Sequence, residues 1–67
     1  MPVAKITEIS ATSKESFDDA LNIGVERASK TLNNVKSVWI KDQHADIENG
    51  KIAQYKVLLK VTFVLED

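Results

Sequence analysis

Tyr55-Lys56-Val57-Leu58-Leu59-Lys60-Val61-Thr62-Phe63-Val64-Leu65-Glu66, the last long run of the chain, decides the reading of the fold. Tyr55, Val57, Leu59, Val61, Phe63 and Leu65 alternate with the more polar set Lys56, Leu58, Lys60, Thr62, Val64 and Glu66, the period-two pattern of a strand with one buried face. At ~3.3 Å per residue the run spans roughly 40 Å, about twice an ordinary strand. A small domain has little of its own to lay along so long a ribbon. The outer half is therefore expected to pair or pack with another copy of the chain.

With 67 residues the sequence makes one domain, spanning 1–67, close to the lower limit at which a single core suffices. No cysteine is present to form a disulfide, and a single histidine excludes a histidine-based structural zinc. Oligomerisation remains as the expected support. The formal charge of -1, with no block of like charge, argues against a nucleic-acid partner or a membrane surface. Met1-Pro2-Val3-Ala4-Lys5 lacks the apolar core of a signal peptide and no run approaches transmembrane length, so a cytoplasmic soluble protein is expected.

Ahead of the decisive run, Val3 to Ile9 reads as a first strand rich in β-branched residues. Thr12-x-x-Glu15 fits a capping box, which predicts a helix from about Lys14. Asp18 and Asp19 then place negative charge where the helix dipole favours it. Phe17, Ala20, Leu21, Gly24, Val25, Ala28 and Leu32 form one apolar stripe at three- and four-residue steps. Gly24 costs up to about 1 kcal/mol against alanine inside a helix, so a close helix-to-sheet approach is its expected reason. Asn33-Asn34 ends the helix, because asparagine tolerates the left-handed conformation of a C-terminal cap.

A second strand is predicted from about Ser37 to Ile47, and Asn49-Gly50 between two strand patterns is a strong hairpin signal. Counting outward from Glu48 opposite Lys51 sets Val38 against Val61, Ile40 against Leu59, Asp42 against Val57 and His44 against Tyr55, on the face the helix is expected to cover at least for the first two pairs. The other face then carries Ser37 with Thr62, Trp39 with Lys60, Lys41 with Leu58 and Gln43 with Lys56. A bulge would shift part of this pairing. The expected fold class is α+β, in the order β-α-β-β: a three-stranded antiparallel sheet with one helix on one side. The side bearing Trp39, Leu58 and Val64 has no partner within the chain, and symmetric self-association is the simplest cover for it.

Lys5-Ile6-Thr7-Glu8-Ile9, Ser16-Phe17-Asp18-Asp19-Ala20, Arg27-Ala28-Ser29-Lys30-Thr31-Leu32 and Val61-Thr62-Phe63-Val64-Leu65-Glu66 together resemble a dodecin over nearly the whole length. The resemblance implies a sheet partly wrapping the helix, twelve copies forming a hollow homododecamer, and binding or storage of a small ligand, with flavin (riboflavin or FMN) the leading candidate, in pairs at subunit interfaces. In flavin-binding members a tryptophan early in the second strand sandwiches the ring system and a glutamine on the third strand bonds its pyrimidine edge. Anchored on Thr31-Leu32 and Val61-Thr62-Phe63, those positions fall on Ser37 and Lys56. Trp39 and Gln54 each lie two residues away on the same strand face. A basic residue at Lys56 resembles the calcium dodecins, which implies the alternative of a shell that does not bind flavin and is calcium-associated or purely structural.

Trp39 has two readings: stacking on a planar ligand, or packing between subunits with Lys60 laid across the indole, the second being favoured. Lys41, Lys56 and Lys60 share the uncovered face and suit a phosphate-bearing ligand such as FMN or coenzyme A, or ordinary solvation and ion pairing. Asp42, His44 and Asp46 alternate along one strand and suit a metal, although one strand rarely completes a coordination shell. No cysteine nucleophile or glycine-rich phosphate loop is present, and Glu8, Asp42 and Glu66 are too scattered in sequence to be read as paired carboxylates. Binding rather than catalysis is expected.

Overall fold

The computed structural model describes residues 3–65, so Glu66 lies outside the described residues. Strand β1 runs Val3–Ser13, helix α1 Phe17–Thr31, strand β2 Val35–Glu48 and strand β3 Lys51–Leu65. The sheet is antiparallel with the order β1-β3-β2, so the long alternating run from Tyr55 is part of its central strand. Both β1 and β2 keep a free outer edge.

The helix begins later than its capping-box signal suggested. Ser16 is the N-cap, its hydroxyl accepting from the Asp19 amide at 2.9 Å, and β1 continues to Ser13 instead of ending at Ile9. Thr12 is drawn into β1 because it pairs with Lys56 in the ladder. Ser13 closes the corner: its hydroxyl accepts from the Glu15 amide at 2.9 Å and donates to the Asp19 carboxylate at 2.5 Å. At the other end the Leu32 amide donates to the Ala28 carbonyl at 2.8 Å, and Asn34 takes the left-handed conformation with φ 60°.

The predicted apolar stripe is the face α1 turns to the sheet, and its fully buried members are the smallest, Ala20, Gly24 and Ala28. They meet Val57, Leu59 and Val61, all at 0% exposure, with Ala11 beside them. A Cβ on Gly24 would lie 2.8 Å from Leu59 Cδ1 and 3.2 Å from the Ala11 Cβ, so glycine is what lets the helix sit this low. Phe17 meets Tyr55 edge-on with ring centroids 4.9 Å apart. The helix lies over β1 and β3 and barely reaches β2, which leaves Ile40 49% exposed even though it is on the helix side.

Asn49 (φ 53°) and Gly50 (φ 75°) form the two-residue turn, as the Asn-Gly signal predicted. The pairs Ser37–Thr62, Val38–Val61, Trp39–Lys60 and Ile40–Leu59 match the count from the turn. The middle of the hairpin does not. Asp42 pairs with Leu58, Gln43 with Val57, His44 with Lys56 and Ala45 with Tyr55. The cause is a pair of register shifts, one leaving Lys41 as an extra residue in β2 and the other leaving Ala53 as an extra residue in β3. Their offsets cancel, so the count is right at both ends and wrong by one residue between them.

Candidate functional site

The bulge at Lys41 decides which side chains share the uncovered face. Without it Asp42 and His44 would point to the helix side, where the sequence count placed them; with it they join the face of Trp39, and Gln43 turns away from it. That face is then built in rows across the three strands: Ile6, Thr62 and Ser37; Glu8, Lys60 and Trp39; Ser10, Leu58 and Asp42; Thr12, Lys56 and His44. Gln54 follows, opposite Asp46. Ser37, Trp39, Asp42, His44, Gln54 and Lys56, the six candidate positions, therefore lie on one surface.

Trp39 is 62% exposed and presents its indole on this surface opposite Lys60. Lys41 reaches from β2 across the central strand to Glu8 on β1, Nζ to Oε1 3.0 Å, in an ion pair whose two members are each about half exposed. At that exposure the pair contributes little to stability, roughly 0 to 1 kcal/mol, but it fixes an arm over the middle of the face. Glu8 is thus a partner of Lys41, and Asp42 turns instead to its own strand, where Oδ1 accepts from the Gln43 amide at 2.9 Å.

Gln54 Nε2 donates to Asp46 Oδ2 at 2.6 Å, and Asp46 Oδ1 lies 3.7 Å from His44 Nε2. One N–H of the Gln54 amide is therefore committed to Asp46. Lys56, half-buried on the central strand, stands between Thr12 and His44. Thr12 and the spanning Lys41–Glu8 pair were not legible as site features in sequence, since the signal for both is the register of β1 against β3. Among the described residues no three His, Asp or Glu side chains gather closely enough to hold a metal ion. Asp42, His44 and Asp46 share a face, but one oxygen of Asp42 accepts from the Gln43 amide and one of Asp46 from Gln54, and two carboxylates fall short of the six to eight oxygen ligands of a calcium cage.

On the helix side a groove of about 510 Å³ runs between α1 and the free edge of β1, bordered by Ile9, Ala11, Ile23, Gly24, Arg27 and Ala28. Sequence reading missed it. Its one signal was Ile23, an apolar residue just outside the stripe and next to the small ones.

The sequence matches the family model described as Dodecin over residues 3–66. The chain belongs to the dodecin family. It is 32% identical over 65 residues to the dodecin of Thermus thermophilus, covering 97% of this chain and 94% of that one. Its structure is similar to the dodecin from Streptomyces davaonensis, with a TM-score of 0.93 at 33% identity over 98% of this chain and 97% of that one. It also shares its fold with a protein from Mycobacterium tuberculosis described as a calcium-chelating antigen, calcium dodecin, with a TM-score of 0.83 at 23% identity over 96% and 91% of the two chains. Dodecins are homo-oligomers with a small-ligand-binding role, and the β-α-β-β order seen here is theirs. No helix among the described residues is long and apolar enough to cross a membrane.

Proposed function

We propose that this dodecin assembles as a homododecamer whose uncovered sheet faces meet at subunit interfaces and hold a small planar ligand there, with flavin, as riboflavin or FMN, the leading candidate. One observation carries the reading: the Lys41 bulge adds Asp42 and His44 to the face already shared by Ser37, Trp39, Gln54 and Lys56, the one side of the sheet that α1 leaves bare. Trp39 offers a flat ring surface for stacking, the Gln54 oxygen accepts a hydrogen bond, and Lys56 and Lys60 donate to acidic groups. Flavin, when bound, supplies a flat aromatic ring system with a polar pyrimidine edge; this chain's part is to stack, orient and store it in the cytoplasm, without catalysis.

Ser37 and Lys56, at the positions where the resemblance puts a stacking tryptophan and a glutamine, favour a second reading. In it the shell binds no flavin and is calcium-associated or structural, with carboxylates such as Asp42 and Asp46 from more than one copy supplying oxygen ligands. One titration separates the two. Riboflavin or FMN fluorescence is expected to fall on addition of micromolar protein, and Trp39→Ala to abolish the fall. Unchanged fluorescence with the native chain, combined with a melting temperature that rises with calcium, overturns the flavin reading in favour of the second.

A further inference from the structure

Glu8 has two cations within reach and bonds only one of them. It stands directly opposite Lys60 on the central strand, in the row that ends at Trp39. Directly opposed side chains on one face of an antiparallel pair have Cβ atoms about 5 Å apart, an easy span for an ion pair. The Glu8 carboxylate meets Lys41 of β2 instead, Nζ to Oε1 3.0 Å. The bulge explains the choice. Lys41 is the extra residue of the register shift between Ile40 and Asp42, and its side chain crosses the central strand on the uncovered face to reach β1.

Lys60 is left over. It is half-buried, and among the described residues it makes no ion pair or side-chain hydrogen bond and does not lie across the Trp39 ring. An ammonium held partly out of water without a counter-ion favours an acceptor brought to it. Its cross-strand neighbour on the open side is Trp39, 62% exposed. A flat ring with carbonyl acceptors on its edge, laid on that indole, meets an uncommitted donor.

We propose that Lys41 and Glu8 are positioning residues for this site: by holding Glu8, Lys41 keeps the Lys60 ammonium free to donate to an acceptor on the rim of a ring stacked on Trp39. The proposal rests on the ligand reading given above and names the chemistry that the face recognises, an aromatic ring edged with acceptors. It also gives the exposed Lys41–Glu8 pair a purpose that its small contribution to stability does not.

Riboflavin, a neutral ligand, is the probe, so that the general attraction of lysines for an anion does not enter. Lys60→Met is expected to weaken its binding about tenfold, the loss of one hydrogen bond from a charged donor. Lys41→Met weakens it roughly two- to fivefold, because Glu8 turns to Lys60 in a surface pair of modest strength. Adding Glu8→Gln to Lys41→Met restores the native affinity, and so does salt, which screens the Glu8–Lys60 pair. A structural role for Lys41 gives a different pattern, a loss that neither the second substitution nor salt repairs, and that result overturns the proposal. A Lys60→Met variant that binds as tightly as the native chain overturns it as well.

A second measurement needs no ligand. Pairing with a carboxylate holds an ammonium in its charged, unreactive form. Trace acetylation by acetic anhydride is therefore expected to label Lys60 more slowly in Lys41→Met than in the native chain, with the native rate regained in the double variant. Equal rates in all three proteins overturn the proposal. A chain that labels as expected but leaves riboflavin fluorescence unchanged supports the competition for Glu8 and refutes the ligand reading alone.

Discussion

Gly24 carries the clearest single-residue argument. In an isolated helix alanine would be the better choice by up to about 1 kcal/mol. Here its methyl would meet Leu59 Cδ1 at 2.8 Å and the Ala11 Cβ at 3.2 Å, and Leu59 is wholly buried. Overpacking of this kind costs about 1 to 3 kcal/mol, so Gly24→Ala is expected to lower stability by roughly 1 to 2 kcal/mol in urea unfolding. An unchanged or raised midpoint would contradict the close contact. The purpose of this glycine was legible in sequence, because a helix-weakening residue set inside a regular apolar stripe points to a neighbour that leaves no room for a side chain. Trp39 was legible only as to its face. Whether it stacks on a ligand or on a neighbouring subunit depends on what approaches from outside the chain.

At the level of elements, the start of α1 shows how two similar signals are resolved. Thr12 and Ser16 are both capable caps, and Thr12-x-x-Glu15 is the better sequence match. Pairing with Lys56 holds Thr12 in β1, and Ser16 caps the helix through the Asp19 amide. Ser16→Ala is therefore expected to cost about 0.5 to 2 kcal/mol, with Thr12→Ala near neutral. Equal losses, measured by chemical denaturation, would point back to the earlier start. The hairpin was legible for the same reason that it was misread. Asn49-Gly50 fixes the turn with little ambiguity, but Lys41 and Ala53 are ordinary residues that do not announce a bulge. Because one extra residue on each strand cancels the other, the apolar pairs near the base gave no warning of the slip between them. The fold survived that error, and it is the unforeseen bulge that sets Asp42 and His44 opposite Leu58 and Lys56, on the face of Trp39, instead of opposite Val57 and Tyr55.

For the whole molecule, the shape itself argues for partners. The radius of gyration is 13.8 Å with extents of 51 × 19 × 13 Å, whereas a compact chain of this length has a radius of about 11 Å. Its accessible surface is 5000 Å², against roughly 4,250 Å² for a compact monomer of this mass. Val57, Leu59 and Val61 are the only large side chains among the described residues that are fully buried, a small core for a chain that must otherwise stand alone. The melting temperature is therefore expected to rise with protein concentration, as linkage to assembly requires. A value that stays constant over a hundredfold dilution, with sedimentation as a single chain, would sink the oligomeric reading.

The two free sheet edges have a further consequence. A flat sheet open on both sides can recruit neighbours without limit and grow as a filament, and neither β1 nor β2 is blunted by proline along its described length. What this sheet has instead is three register shifts, which leave Lys36, Lys41 and Ala53 as extra residues, and a bulge bends its strand and adds twist. Growth that keeps turning returns to its own starting point. Residues that take no partner in the strand ladder thus favour closure into a particle of fixed size over growth as a fibre.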